Sequence, residues 1–227
     1  MQESDQKLHM PLNKRQNTPK KRQITPDYTH EKDSLHPVCG IDEAGRGPLA
    51  GPVVAAAVIL DPSNIPQGLN DSKVLSQSAR EYLLNKIWET ADVGIGISEP
   101  EEIDRKNILW ASMLAMSRAV TQLKTTPSHA LIDGNRCPKL PPNMTAEALI
   151  KGDSRSVSIA AASIIAKVTR DNLMALADMR YPQYGFQNHK GYATAAHRAA
   201  IAEHGPCPIH RFSFAPMRQG ELFWSTP

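Results

Sequence analysis

The chain has 227 residues, enough to bury the core of one domain with a small appendage. Its 26 basic and 23 acidic side chains leave a formal charge of +3, too small by itself to mark a partner of polyanions, so distribution carries more than the sum. The longest apolar run, Val53 to Leu60, is far shorter than the ~20 residues of a spanning helix, and the lysine-rich start lacks the apolar core of a signal peptide. No membrane partner and a cytoplasmic setting are therefore expected. Cys39, Cys137 and Cys207 form neither a CxxC pair nor a Cys/His zinc spacing, which points to reduced thiols.

Residues 1–36 hold seven Lys/Arg against five Asp/Glu, with five of the seven between Lys14 and Arg22, and almost no large apolar side chains. Such a segment cannot offset its ordering entropy by burial, and it reads as a disordered basic arm, either a tracker of nucleic-acid backbone or a solvated tail. The remainder, 37–227, reads as one domain.

Pro37 to Ile41 forms a first strand that ends in Asp42 and Glu43, and a turn with Gly45, Arg46, Gly47 and Pro48 leads to a second strand, Pro52 to Leu60. The second is nearly all apolar and so buried on both faces. A polar loop, Asp61 to Lys73, closes with Asn70, Asp71, Ser72 and Lys73. Ser76 suits an N-cap for a helix with Ala79, Leu83, Ile87 and Ala91 at fourfold spacing. Val93 to Ile97 is a third strand in which Gly94 and Gly96 imply a close neighbour on one face. Pro100 to Lys124 is helical in two pieces divided near Asn107.

Ala130 to Ile132 is a fourth strand delivering Asp133, and Ala146 to Ile150 a fifth, with Asp153 just beyond it. A long helix from Ile159 to Met179 takes Ser158 as its cap, an irregular loop runs from Gln183 to Tyr192, and a final helix spans Thr194 to His204.

Asp42, Glu43, Asp133 and Asp153 share a position at or just past an apolar strand's C-terminal end, the edge of an open α/β sheet where side chains converge. Four acids without His or Cys make an oxygen-ligand site for Mg²⁺ or Mn²⁺ rather than zinc. Two such ions about 4 Å apart suit phosphodiester cleavage. Asp42 is placed at the centre. Glu43 follows it directly and strand residues alternate in direction, so either the chain already turns at Glu43 or Glu43 reaches the site from its rim. Asp171 is the rival fourth ligand, but Lys167 and Arg170 beside it favour an ion pair. Arg46 between glycines fits a phosphate or sugar contact. Lys73, Lys167, His189, Lys190 and Arg211 are candidates to line a nucleic-acid track.

The motifs GIDEAGRGPLAGPVVAAAVIL, LNDSK, LIDGNRCPKLP, KGDS, AASIIAKVTRD and YGFQNHKGY, in this order from about Val38 to Phe214, resemble bacterial ribonuclease HII. That resemblance implies a ribonuclease H-like α/β fold, a mixed sheet flanked by helices with a small helical C-terminal part. It implies a Mg²⁺- or Mn²⁺-dependent endonuclease that cleaves RNA in RNA–DNA hybrids and incises duplex DNA at embedded ribonucleotides, leaving 5′-phosphate and 3′-hydroxyl ends.

Carried over by motif, Asp42, Glu43, Asp133 and Asp153 hold metal. Gly45, Arg46 and Gly47 meet the ribose 2′-hydroxyl, Tyr192 senses the RNA–DNA junction, and Ser72 and Lys73 contact substrate. Val74 stands where relatives often carry a second lysine, and a gripping C-terminal extension is expected to be short or absent. A monomer is expected. The competing readings are a non-cleaving hybrid-binding module of the same fold and a fold-related DNA-strand transferase.

Overall fold

The computed structural model describes residues 25–218. Five strands form one mixed sheet: β1 (Val38–Ala44), β2 (Val53–Leu60), β3 (Ala91–Ser98), β4 (His129–Asp133) and β5 (Thr145–Leu149). Their spatial order is β3-β2-β1-β4-β5. The hairpin β1–β2 and the pair β2–β3 are antiparallel, whereas β1–β4 and β4–β5 are parallel. The three parallel strands therefore end at one edge, and their last residues lie side by side. The interior strand β2 is buried almost throughout, as its unbroken Val/Ala/Ile composition requires.

Each face of the sheet carries helices. On one side, α3 (Pro100–Lys106) and α4 (Ile108–Thr121) cover Ile41, Ala55, Ala57 and Ile132. Asn107 separates them with φ of 66° while its side chain accepts from the Leu109 and Trp110 amides, so the expected break is a cap. The close neighbour implied by Gly94 and Gly96 is α4, whose backbone occupies the space a Cβ would need. On the other side, α5 (Val157–Arg180) packs with α2 (Gln77–Thr90) over Ala56, Val58 and Leu60. The helix α5 lies so close to β1 that a Cβ at Gly40 would meet the Ser158 and Ile159 backbone. Ser76 caps α2 as expected, accepting from the Ala79 amide at 3.2 Å.

Three sequence readings change. The cap of α5 is Ser156, which accepts from the Ile159 amide, and Ser158 is the second residue of the helix. The segment 183–192 is built from a 3₁₀ turn (Pro182–Tyr184) and the short α6 (Phe186–His189), followed by α7 (Ala195–His204) and α8 (Ala215–Arg218).

The third change concerns the basic arm. Its residues 1–24 lie outside the described residues, but 25–36 are folded against the domain. There α1 (Thr29–Lys32) buries Glu31, whose Oε1 accepts from the Ser158 amide at 2.9 Å and from the Ser158 hydroxyl at 2.7 Å, and also from the Ser156 hydroxyl. A carboxylate at the N-terminus of a 24-residue helix meets its free amides and the positive end of its dipole. Composition missed this because one buried acid outweighs the polarity of its neighbours.

Among the described residues no helix is long and apolar enough to cross a membrane. Replacing Glu31 with Ala strands several buried donors, and we expect a loss of about 2–3 kcal/mol of stability. Urea denaturation of the full chain with and without E31A measures it.

Candidate active site

The parallel strand ends carry the acids. Asp42 is the fifth residue of β1 and Asp133 the last of β4, and Asp153 sits in a 3₁₀ turn, Gly152–Ser154, between β5 and α5. One carboxylate oxygen from each of Asp42, Asp133 and Asp153 lies within 4.8 Å of the other two. The Gly152 amide donates to Asp133 Oδ1 at 2.7 Å, which ties the last two acids together. Asp42 and Asp153 are buried.

Burial, first, and then Glu43, Asp133 and Asp153 hold the Asp42 carboxyl well above the usual carboxylate range. Burial and Asp133 also raise Asp153, while Lys73 works in the opposite direction. Lys73 Nζ is 3.9 Å from Asp153 Oδ2, and a mostly exposed lysine offsets little of this crowding. An all-oxygen donor set with excess negative charge fits a hard divalent cation, so Asp42, Asp133 and Asp153 are the residues that would hold it.

Glu43 answers the question left by strand alternation. The pairing of β1 with β2 stays regular through Glu43↔Ala55 and Ala44↔Val54, so the chain has not yet turned. Asp42 shares the face of Gly40 toward α5, and Glu43 leaves on the opposite face with Ile41. Its carboxylate bonds Arg46 Nη1 at 3.2 Å and stands at the rim, outside the three-aspartate group. Burial raises its pKa and Arg46 draws it back. Asp171 is paired with Lys167 at 2.7 Å, the ordinary i,i+4 ion pair.

The other expected substrate residues lie around this centre. Ser72 is buried, with its amide on Ser163 Oγ and its carbonyl on Arg80, so the LNDSK loop is pinned and hands Lys73 to the acids. Val74 is exposed. Gly45 has φ of 96°, open to glycine at little cost, and the space of its missing Cβ is filled by Arg170. The exposed Tyr192 ring flanks Gly47: a Cβ there would lie 3.7 Å from Tyr192 Cε1.

Two of the candidates for a nucleic-acid track do other work. Arg211 is fully buried, and His189 stacks on His197 at 4.3 Å between ring centres. The Cys207 amide donates to His210 Nδ1 at 2.9 Å, leaving the His210 proton on Nε2 to meet His197 Nε2 at 3.1 Å. His197 Nδ1 in turn reaches the Tyr192 carbonyl at 2.9 Å. This chain needs both rings neutral. Burial lowers His197, and takes His210 from 6.5 to about 4. Isolated histidines and arginines in a polar tail carry no sequence signal for such packing.

The family model described as Ribonuclease HII matches residues 39–217. The chain belongs to the ribonuclease HII family. It is accordingly an endoribonuclease, a hydrolase, with the ribonuclease H-like α/β fold. It is 55% identical over 202 residues to the ribonuclease HII of Sinorhizobium fredii, covering 87% of each chain. Among solved structures it is similar to ribonuclease H2 from Pyrococcus horikoshii OT3, with a TM-score of 0.70 and 30% identity, covering 83% of this chain and 99% of that one. It also resembles the ribonuclease HII of Archaeoglobus fulgidus in its complex with PCNA, with a TM-score of 0.66 and 29% identity over 78% of this chain and 94% of that one.

Two outcomes follow from the charges. Because the folded Asp42 carboxyl is raised, its contribution favours the fold below the unfolded carboxylate range of about 4 and is lost as pH rises through the folded value. D42N is therefore expected to melt higher than the parent chain at pH 7 in chelator, with the gain vanishing in acid. His210 has the reverse sign: its depressed pKa contributes stability above 6.5 that is lost as pH falls toward about 4. Thermal melts of H210Q across that window are expected to fall less steeply than those of the parent chain.

Proposed function

We propose that the chain cleaves the RNA strand of RNA–DNA hybrids and incises duplex DNA at embedded ribonucleotides, using Mg²⁺ or Mn²⁺ and leaving 5′-phosphate and 3′-hydroxyl ends. The observation that carries this reading is the convergence of Asp42, Asp133 and Asp153 at one sheet edge, with the Gly45–Gly47 turn opening from the same strand. When bound, a pair of divalent ions supplies Lewis acidity to an in-line displacement at phosphorus and lowers the pKa of the attacking water.

The chain's own residues do the rest. Asp42, Asp133 and Asp153 would hold the ions, with Asp42 at the centre, and Glu43 at the rim would complete the ligand set. Arg46, half-exposed and held by Glu43, meets a phosphate or sugar. Lys73 adds positive charge beside Asp153, and Ser72 seats it. Tyr192 and the Gly45–Gly47 turn together present an aromatic ring and backbone polar groups to one nucleotide, a combination suited to a ribose hydroxyl that both donates and accepts. We take the working unit to be a monomer in the cytoplasm.

A duplex DNA with one embedded ribonucleotide, incubated with folded protein in Mg²⁺ and separately in Mn²⁺, tests the reading. Cleavage at the ribonucleotide is expected, and tight binding without products in either metal overturns it in favour of a non-cleaving module. D42N and D153N are expected to lower the rate by about a hundredfold or more. D171N, which removes only an i,i+4 ion pair, is expected to hold activity within about threefold and to lose about 0.3–0.5 kcal/mol of stability. An inactive D171N of unchanged melting beside an active D153N exchanges the two assignments.

A further inference from the structure

Arg211 is a fully buried cation that no described carboxylate pairs. Its guanidinium instead gathers backbone oxygens: Nη2 donates to the Gly45 carbonyl at 2.6 Å, Nη1 to that of Arg46 at 2.9 Å and Nε to that of Gly51 at 2.9 Å. Three hydrogen bonds in one plane to three peptide units use the fork that distinguishes arginine from lysine. The Phe214 ring lies 5.1 Å beneath the guanidinium carbon. A second buried arginine, Arg170, holds the return of the loop through the carbonyls of Ala50 and Pro52.

The consequence for the turn is geometric. In a trans peptide the C=O and N–H point in opposite directions. With the oxygens of Gly45 and Arg46 turned inward to Arg211, the amides of Arg46 and Gly47 are turned away from it. Neither has a protein acceptor among the described residues. Two successive outward amides beside the Tyr192 ring are donors awaiting an oxygen.

The segment that carries Arg211 is also stitched to both sides of this opening. Arg211 N–H donates to the Leu49 carbonyl, Gly51 N–H to that of Ile209 and Leu49 N–H to that of Gly191, each at 2.8 Å. The neighbouring His210 reaches the Tyr192 carbonyl through His197.

We propose that Arg211 is a positioning residue that sets the Gly45–Gly47 turn in its hydroxyl-reading orientation, so that discrimination of a ribonucleotide from DNA depends on a side chain that never touches the substrate. This rests on the reading of the turn as the part that meets the ribose. Lysine at position 211 keeps the charge but cannot span three carbonyls, so the peptide units of Gly45 and Arg46 regain freedom to rotate.

The test compares KM for a duplex with one embedded ribonucleotide against the inhibition constant of the same duplex made wholly of DNA. For R211K the ratio of inhibition constant to KM is expected to fall about tenfold, with Mn²⁺-induced thermal stabilisation unchanged, because the three aspartates are untouched. A folded R211K whose ratio stays within about twofold of the parent chain's overturns the proposal. A parent ratio near one instead sinks the reading of the turn, and the role of Arg211 goes with it.

Should R211K fail to fold, F214L removes the ring that seats the guanidinium, so that its three hydrogen bonds to the turn loosen while the arginine itself stays. The ratio is then expected to fall about threefold, and an unchanged ratio overturns the proposal equally.

Discussion

Crowded negative charge at the edge of the sheet is the constraint on which the rest of this structure depends. Three carboxylates with oxygens within 4.8 Å of one another repel strongly, and two of them are buried, so the fold must hold them against a force that drives them apart. It does so with rigid parts. Asp42 and Asp133 belong to adjacent, hydrogen-bonded parallel strands, and Asp153 sits in a turn locked to Asp133 through the Gly152 amide. The helix behind them is capped by a buried glutamate from a separate segment. Such preorganisation costs stability in the metal-free chain and makes the same place favourable for a divalent cation.

A second layer of construction surrounds that centre, with opposite electrostatics. Two buried arginines, Arg170 and Arg211, anchor the loop after β1 by its carbonyls rather than by carboxylates. Carbonyl ligation adds no further carboxylate to the crowded edge, and it fixes backbone orientation where the loop faces outward. A neutral histidine pair ties the Tyr192 carbonyl to the same C-terminal segment. The acids and the glycine turn are thus held by different elements. The acids rest on the sheet, and the turn rests on α5 and the segment after α7.

Much of this was legible in the residues. The five strands, the division at Asn107, the glycine-mediated contact of β3 and the three aspartates at strand ends all follow from local pattern, because apolar periodicity and glycine placement report directly on which side of an element is covered. Glu43 was legible only as an alternative, since the strand register that sends it to the rim depends on pairing with Ala55. The sequence places both Glu31 and Arg211 outside the core, one in a disordered arm and the other along a nucleic-acid track, and both are buried. Each is a charged residue in a polar stretch, and its burial is decided by partners 127 and 166 positions away.

Within the stretch Val38 to Leu60, the sequence alone determined that a strand ends in two acids, that a glycine-arginine turn follows and that a buried strand returns. These are consequences of composition within a few residues. Only the tertiary structure decided which acid joins Asp133 and Asp153, because that is settled by the register of β1 against β2 and the approach of α5 at Gly40. It alone decided which way the turn's amides point as well. Backbone orientation in a glycine turn is too free to be written locally, and here it is held by a guanidinium from the far end of the fold.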